Sequence, residues 1–527
     1  MKNKIYIAIF SLLLLAGCKQ PATDVSGPAH KKATNIAETP FVLEGDYTPD
    51  TGVLYKVLIN GDTCFVIIDS LSDEAMYGVY YQVIPGSDCV EKKAFSRDRH
   101  WKEQRSDAVV YIYQAPEYHQ IVSNIYRKPI FKVTVKPDVE YGEALGYWSS
   151  MPNTDDESYL EILSDGIKNS FVRTTQSLTM DIYLPDSNSN KRPLLLLLHG
   201  GGFYVGDKQD SAISAWCRHF ASTGYVAVSA NYRLGYLPAK SEIARTGYMA
   251  LQDAHAAMRY LVEQADVYNI DTSLLFVGGA SAGSITALNL AFMREKDRPK
   301  AVYNNKWRNL GAIESSGNSS KATFHIKAVA NMWGALTSLN MLKNSKTDIV
   351  SFHGDADQVV PYDSGYPFRD VSEKLGQRLF DKMYGSYQID KRARELGLRS
   401  ILYTFPGQGH SLHHYSDGKW NQHNFEMIRD RMTEFFYEEI TGPAIKIETD
   451  RNDNRHFLIA EEGVSDVSWD VEGGFIIHLG TNEIWVVWRD DAKQHVLRVS
   501  GRNPKGFGFE DKINVEGNNE QQKEKQT

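Results

Sequence analysis

A serine between two glycines carries the strongest chemical signal in the sequence. It is Ser281, in the string Gly-Ala-Ser-Ala-Gly at 279–283. Residues 274–278 predict a buried strand and residues 285–292 predict a helix, so the serine would lie on a tight turn between them. Small neighbours let such a strained turn pack against other backbone, and the turn exposes the hydroxyl as a nucleophile. Alternatively, the same string simply begins a helix.

A serine hydroxyl becomes a good nucleophile when a base removes its proton and a carboxylate orients that base. On a strand-turn-helix scaffold of this kind the three groups follow in the order Ser, Asp, His. Residues 349–354 predict a strand, and the segment after it offers two carboxylates, Asp355 and Asp357. Residues 401–405 predict a last strand, and His410 follows it on a loop, where we expect the base.

Two further histidines, His413 and His414, compete with His410 for this role, and the three together suggest a metal cluster as an alternative. No carboxylate or cysteine stands at ligand spacing from them, and the sequence contains neither Cys-x-x-Cys nor His-Glu-x-x-His. We therefore predict a base at His410, no metal and no cofactor.

A glycine-rich loop upstream predicts a site for a negatively charged oxygen. The apolar run at 194–198 ends at His-Gly-Gly-Gly-Phe, residues 199–203. Ester hydrolysis places negative charge on the former carbonyl oxygen, which needs N–H donors that point inward. We expect the donors to be the amides of Gly201, Gly202 and Ala282. A bare loop and a phosphate cradle are alternatives, although the Gly-Lys-Ser/Thr ending of a P-loop is missing.

Together these motifs resemble the bacterial carboxylesterase and hormone-sensitive-lipase-like branch of α/β-hydrolases. Two more strings join the match, Asn-Tyr-Arg-Leu at 231–234 and Gln-Asp-Ala at 252–254. The resemblance implies an α/β-hydrolase fold, a mostly parallel sheet flanked by helices, and ester hydrolysis through an acyl-enzyme. In that family the acid lies in a His-Gly-x-x-Asp-x-x-Val-Pro string, which 353–361 matches, so the resemblance favours Asp357 over Asp355.

The hydropathy pattern divides the chain into three folded regions. Residues 150–441 alternate short apolar strands with longer helical stretches and predict the catalytic domain. Residues 41–142 alternate apolar and polar positions between turn clusters and predict an all-β domain. Strands return over 444–516, where Trp-Asp-Val-Glu-Gly-Gly at 469–474 resembles PKD-like domains, which are immunoglobulin-like β-sandwiches. The polar residues 517–527 predict a disordered tail.

The N-terminus has the composition of a targeting segment. Residues 1–17 place two lysines before an apolar stretch that is too short to span a bilayer, which indicates a signal peptide. The string Leu-Ala-Gly-Cys at 15–18 resembles the lipobox of bacterial lipoproteins, so we expect a lipid on Cys18, with residues 18–40 as a tether. The expected location is the outer membrane of a Gram-negative bacterium. A plain secretory peptide is the alternative.

Cysteine usage and charge narrow the remaining possibilities. An exported chain permits a disulfide, for which Cys64 and Cys89 are the natural pair, while Cys217 lies in a helical pattern that favours a buried thiol. A formal net charge of -8, from 58 basic and 66 acidic residues, offers no cationic surface and argues against nucleic acid as a partner.

The function favoured by these observations is a serine carboxylesterase with a small-molecule or polysaccharide-linked ester as its substrate. The β-domains and the tether suggest acetyl or aromatic esters on polysaccharides. Trp333 and residues 362–368 follow carboxyl ends of strands, so they either wall the pocket or pack under a loop. Asp253 and His255 are interpreted as structural. The alternatives are a serine peptidase of the prolyl-oligopeptidase type and a non-catalytic lipoprotein that binds glycans or partners.

Overall fold

The computed structural model describes residues 51–59, 62–71, 75–83, 90–98, 108–121, 123–146, 174–186, 191–236, 239–303, 309–369, 373–415, 417–450, 453–489 and 492–515. The chain forms two compact units. One is Ser123–Pro443, and the other combines the two chain ends, up to Val122 and from Ala444 onward.

The terminal unit begins with an antiparallel five-stranded sheet. Its strands are β1 (Leu54–Ile59), β2 (Asp62–Leu71), β3 (Ala75–Val83), β4 (Val90–Asp98) and β5 (Ala108–Ile112). They pair in the order β4-β3-β2-β1-β5. Antiparallel strands of this kind need only one buried face, which accounts for the alternating sequence pattern.

The unit Ser123–Pro443 is built on an eight-stranded sheet. Its strands are β6 (Val133–Gly146), β7 (Thr174–Pro185), β8 (Arg192–Leu198), β9 (Val226–Ala230), β10 (Ile270–Ala280), β11 (Ala328–Met332), β13 (Asp348–Gly354) and β16 (Ser400–Phe405), in the order β16-β13-β11-β10-β8-β9-β7-β6. From β9 to β16 all neighbours are parallel, whereas β6 and β7 run antiparallel. A small second sheet contains β12 (Ala335–Leu336), β14 (Ser364–Gly365) and β15 (Met383–Gly385).

Helices cover this sheet. They are α1 (Ser211–Thr223), α2 (Lys240–Glu263), α3 (Ala265–Tyr268), α4 (Ala282–Phe292), α5 (Glu373–Leu379), α6 (Ser386–Glu395) and α7 (Gln422–Thr441). All residues of β8, β9 and β11 are buried, as expected for parallel strands between helical layers. The predicted α/β-hydrolase arrangement, a mostly parallel sheet flanked by helices, is confirmed for this unit.

The predicted boundary between the N-terminal β-region and the catalytic domain is wrong. The sequence pattern ended the β-region at 142 and began the catalytic domain at 150, yet β6 pairs along its length with β7 of the eight-stranded sheet. The strand is antiparallel and half-exposed, so its alternating pattern is the same as that of a strand in an all-β sheet. The unit that contains the eight-stranded sheet therefore starts before β6, at Ser123.

The C-terminal segment forms two antiparallel sheets around an apolar core. Its strands are β17 (Glu448–Asp450), β18 (Asp453–Leu458), β19 (Ser465–Glu472), β20 (Gly474–Leu479), β21 (Glu483–Trp488), β22 (Val496–Arg502) and β23 (Gly508–Asn514). They pair as β17-β18-β21-β20 and β19-β22-β23. The buried Trp469, 1% exposed, lies in the core between them.

The two ends of the chain share a core, which the sequence pattern did not indicate. Buried residues of the first sheet (Leu54, Phe65, Tyr81) pack with buried residues of β20 and β21 (Ile477, Trp485, Val487). The Tyr113 hydroxyl accepts a hydrogen bond from the Ile476 amide at 2.9 Å. The Ser500 hydroxyl accepts one from the Ile121 amide at 2.6 Å. The first five-stranded sheet and the C-terminal strands, predicted to belong to two separate β-domains at 41–142 and 444–516, thus form one body.

Several predicted features lie outside the described residues. They are the signal peptide 1–17, the lipid site Cys18, the tether 18–40, the tail 517–527, Cys89 and the side chain of Cys64. Cys217 is a buried free thiol in α1. Within the part of the chain that the structure describes, no helix combines the length and the apolar character that crossing a membrane requires.

Candidate active site

Ser281 stands on a strained turn between β10 and α4. Its backbone has φ 54° and ψ −117°, a conformation that L-residues rarely adopt and that persists only where the surroundings enforce it. The Ser281 amide donates to the Met332 carbonyl at 3.0 Å, which ties the turn to β11. A Cβ at Gly283 would overlap the backbone oxygens of Leu198 and His199, so only glycine lets α4 approach β8 this closely.

The structure brings Ser281, Asp357 and His410 together. His410 Nε2 lies 2.9 Å from the Ser281 hydroxyl, and His410 Nδ1 lies 2.7 Å from Asp357 Oδ2. A carboxylate only accepts hydrogen bonds, so Nδ1 carries the proton and Nε2 faces the serine as an acceptor. The three residues follow β10, β13 and β16, whose carboxyl ends meet at one edge of the parallel sheet.

Asp357 is buried, 0% exposed, and four N–H groups surround its carboxylate. Oδ1 accepts from the amides of Val359 and Val360 at 2.8 and 3.0 Å. Oδ2 accepts from His410 and lies 3.2 Å from His353 Nε2. Burial opposes the charged form, but the hydrogen bonds from His353 and His410 outweigh it and hold the pKa of Asp357 well below its usual range.

The competing residues occupy other positions. Asp355 is exposed, and its carboxylate accepts from the Gly407 amide at 2.6 Å, so it is Asp357 that contacts the base. His413 is buried, and burial together with the neighbouring histidines lowers its pKa to about 3. His414 lies on the cavity wall. The described residues contain no group of three His, Cys, Asp or Glu side chains that would hold a metal ion.

The glycine loop after β8 lies beside the nucleophile. Gly201 has φ 103° and Gly202 has φ 62°, and both line the same cavity as Ser281 and Ala282. The loop is anchored at both ends. The Tyr232 hydroxyl donates to the His199 carbonyl at 2.7 Å, and the buried Lys208 amino group forms ion pairs with Asp181 and Asp138.

A cavity of about 650 Å³ opens at Ser281. One wall is a stripe along α4 and its two capping residues, where Ser281, Ile285, Asn289 and Met293 follow at every fourth position. At 1.5 Å per helical residue, this wall reaches about 12 Å from the serine to Asn289 and about 18 Å to Met293. The other walls include Trp333 and aromatic residues from several segments of the unit: Phe203, Tyr204, Tyr236, Tyr248, Phe368 and Phe380.

The predicted wall residues are therefore partly in place. Trp333 lines the cavity with φ 47° and 1% exposure, and its ring centroid lies 6.4 Å from that of His410. From 362–368, Pro367 and Phe368 line the cavity, whereas the Tyr362 hydroxyl is hydrogen-bonded to Thr404 at 2.6 Å.

Asp253 and His255 make structural contacts with buried arginines. Asp253 pairs with the buried Arg233 guanidinium, with contacts of 2.7 to 3.0 Å, and accepts from the Arg233 amide. His255 Nδ1 accepts from Arg259 at 2.7 Å. Neither residue is among those that line the cavity.

Sequence reasoning missed His353, which contacts the acid from inside the sheet. Its position was visible as the first residue of the His-Gly-x-x-Asp string, four residues before Asp357. A histidine near the end of an apolar, buried strand is a signal in itself, because buried polar groups need partners.

The chain is similar to proteins named as esterases or ester hydrolases. A family model described as BD-FAE matches residues 180–351, which include the glycine loop and Ser281 but end before Asp357 and His410. Gut esterase 1 of Caenorhabditis briggsae is 29% identical over 115 residues, which cover 21% of this chain and 20% of that protein. The ethyl acetate hydrolase of Pseudomonas putida is 32% identical over 138 residues, 24% of this chain and 40% of that protein.

Among solved structures, a thermophilic esterase from Thermogutta terrifontis covers 50% of this chain and 88% of its own length, with 18% identity and a TM-score of 0.37. The chain spans a fifth of the first curated relative and two fifths of the ethyl acetate hydrolase.

Proposed function

We propose that this chain is a serine carboxylesterase that hydrolyses carboxylic esters through an acyl-enzyme. The observation that carries the proposal is the continuous hydrogen-bond path from Ser281 through His410 to Asp357 at the wall of a large cavity. The esterase relatives support the same reaction class.

In the proposed cycle the Ser281 oxygen attacks the ester carbonyl carbon while His410 Nε2 takes the hydroxyl proton. The negative charge that forms on the carbonyl oxygen is stabilised by the amides of Gly201, Gly202 and Ala282. The intermediate expels the alcohol, which leaves with the proton from His410. Water then attacks the acyl-enzyme, His410 takes a proton from it, and the acid product leaves as Ser281 recovers its proton.

Hydrolysis of p-nitrophenyl acetate tests the proposal directly. Ser281→Ala should lower turnover by about four to six orders of magnitude, because without the nucleophile the base and acid contribute little. Ser273→Ala is a matched control, since that serine is exposed near the start of the same strand and its hydroxyl donates to Asp271, two residues before it. A fluorophosphonate should add one adduct, on Ser281. Equal activity of the Ser281→Ala variant and the wild type refutes the proposal.

The cavity favours an extended substituent over a small one. A wall that reaches about 12 to 18 Å from the nucleophile is longer than an acetyl group needs and is rich in aromatic side chains. Among acetyl and aromatic esters of polysaccharides, we therefore infer that aromatic esters are the better substrates. Comparison of p-nitrophenyl acetate, a feruloyl ester and an aminoacyl-proline substrate ranks the esterase and peptidase activities.

Blocking the cavity tests this inference without touching the triad. Ile285→Phe adds bulk to the stripe one turn beyond Ser281, so it should lower kcat/KM for the feruloyl ester at least tenfold and change that for the acetate much less. Equal losses on both esters would contradict an extended binding site along α4.

We further propose that the chain is exported and anchored by a lipid on Cys18, and that its C-terminal sheets form a PKD-like domain. The lipobox-like string at 15–18 supports the anchor, and the two antiparallel sheets around Trp469 support the PKD-like domain. Cys18→Ala should abolish incorporation of labelled palmitate and release the protein from membranes. Retention of label in that variant would contradict the anchor.

A further inference from the structure

His353 is the penultimate residue of β13, is 0% exposed and takes no part in the proposed cycle, yet it contacts the triad acid. Its Nε2 atom lies 3.2 Å from Asp357 Oδ2 and 3.2 Å from the Val360 carbonyl oxygen. Both of these atoms accept hydrogen bonds, so Nε2 carries a proton and donates to them.

A chain of buried side chains fixes the other ring nitrogen as an acceptor. The Gly334 amide donates to Asn331 Oδ1 at 2.9 Å, which sets the orientation of that side-chain amide. Asn331 Nδ2 therefore donates to the Ser386 hydroxyl at 2.9 Å, and the Ser386 proton is left to point at His353 Nδ1, 2.7 Å away. The imidazole of His353 is thus neutral, with its single proton directed at the acid.

The same chain reaches the helix that begins after the nucleophile. The Ser284 hydroxyl, on the first turn of α4, donates to Asn331 Oδ1 at 2.7 Å, and Asn331 Nδ2 also donates to Ser351 on β13 at 3.0 Å. Ser284, Asn331, Ser351, Ser386 and His353 are all 0% exposed. Because unmade hydrogen bonds are costly in such surroundings, the donors and acceptors hold one arrangement.

We propose that His353 is a positioning residue that holds the Asp357 carboxylate and limits its basicity, so that the Asp357–His410 pair stays ready to accept the serine proton at lower pH. The inference rests on the proposed esterase function. Asp357 Oδ2 receives two N–H groups, from His353 and from His410. A donor that stabilises the carboxylate charge reduces the electrostatic stabilisation that the carboxylate gives to a protonated His410. Because protonated His410 cannot act as a base, this keeps more of the enzyme in its active form.

Three further charged or titratable residues lie against this cluster within the described part of the chain. Arg369 donates to the Asp357 carbonyl at 3.0 Å, the Tyr362 ring packs edge-on against His353 with 5.6 Å between centroids, and the buried His413 interacts with His410. None of these three residues donates a hydrogen bond to the Asp357 carboxylate. His353 does, so a substitution of His353 tests the effect of that hydrogen bond separately from theirs.

The test is the pH dependence of kcat/KM for His353→Phe, which fills the site but donates no hydrogen bond. The acid limb should move to higher pH by about half to one unit. Because His353 does not line the cavity, kcat should fall while KM stays near the wild-type value. His353→Gln keeps an N–H donor and should restore most of the shift. Ser351→Ala, on the same strand and network but remote from the carboxylate, should leave the limb in place.

A second readout is independent of turnover. The His410 Nδ1 proton bonded to Asp357 gives a low-field proton resonance, and its titration midpoint should move upward in His353→Phe as the acid limb does. If His353→Phe fails to fold, Ser386→Ala, which removes the donor that fixes the tautomer, should move both midpoints in the same direction by less.

Unshifted midpoints in a folded variant, or a shift equal to that of Ser351→Ala, overturn the inference. If the wild-type protein shows the resonance and His353→Phe shows the shifted midpoint, but the wild type hydrolyses no ester, the proposed function is overturned instead.

Discussion

Asp357→Asn probes the site because the amide is nearly isosteric with the carboxylate but cannot accept four hydrogen bonds. The side chain receives two backbone N–H groups on Oδ1 and two imidazole N–H groups on Oδ2. Whichever way an amide is turned, its NH₂ group meets two donors. The backbone amides of Val359 and Val360 cannot rotate away, so the amide oxygen will face them and the NH₂ group will face His353 and His410.

The consequence for the base follows directly. To accept from that NH₂ group, His410 must carry its proton on Nε2, the atom that lies 2.9 Å from the Ser281 oxygen. A protonated Nε2 in the neutral ring cannot take the serine proton. We expect kcat to fall by about 10⁴, which corresponds to about 5.5 kcal/mol of transition-state stabilisation, with KM little changed.

Steady-state hydrolysis of p-nitrophenyl acetate measures this loss, and thermal unfolding verifies that the variant is folded. Asp355→Asn is the matched control, because that exposed side chain accepts a hydrogen bond from Gly407, which an amide oxygen preserves. Its activity should stay within about twofold of wild type, as expected of an exposed substitution. A loss below tenfold in Asp357→Asn, or a comparable loss in Asp355→Asn, would refute the assigned geometry.

Three further predictions concern the loop, the core and pH. Gly201→Ala should lower kcat at least a hundredfold, since a Cβ at φ 103° would overlap the Val205 carbonyl oxygen of its own loop. A Cβ at Gly202 would meet no atom within 4 Å, and only its φ of 62° would strain the new side chain, so Gly202→Ala should lose less than tenfold; equal losses would contradict this contrast. Asp253→Ala leaves the Arg233 guanidinium buried without its partner, and urea unfolding should show a loss of about 3 to 5 kcal/mol; a loss below about 1 kcal/mol would be inconsistent with the buried pair. Burial, and secondarily a neighbouring arginine, lowers the pKa of His255 to about 4. The unfolded chain takes up this proton below about pH 6.5 and the folded chain does not until about pH 4, so stability present above pH 6.5 is lost as pH falls, by at most about 1.4 kcal/mol per pH unit. His255→Gln should flatten that slope, and an unchanged slope would mean that other groups cause it.

The residues that follow the ends of parallel strands were the most predictable part of the site. Ser281, Asp357 and His410 each follow an apolar run, and the topology of a parallel sheet gathers such positions at one edge whatever lies between them. The role of His353 was not predictable, because its tautomer depends on Ser386 and Asn331, which reach it from other elements.

The strand boundaries show a second limit of sequence patterns. An alternating strand such as β6 has one buried face, and its sequence does not say which sheet buries it. The same holds for the first sheet and for β20 and β21, whose apolar faces meet although nearly 400 residues separate them. Periodicity identifies the type of element, while the partner is decided by packing between distant segments.

The core shared by the chain ends has a consequence for biosynthesis. While the ribosome is still making the middle of the protein, the first sheet has already emerged with the apolar side chains of Leu54, Phe65 and Tyr81 uncovered. The residues that cover them, on β20 and β21, are synthesised only after the whole of the unit Ser123–Pro443, so this body can mature only after that unit has been made. A nascent chain that stalls before β20 and β21, or a proteolytic product that lacks them, would expose the apolar face of the first sheet. Chaperones or proteases could recognise such a face.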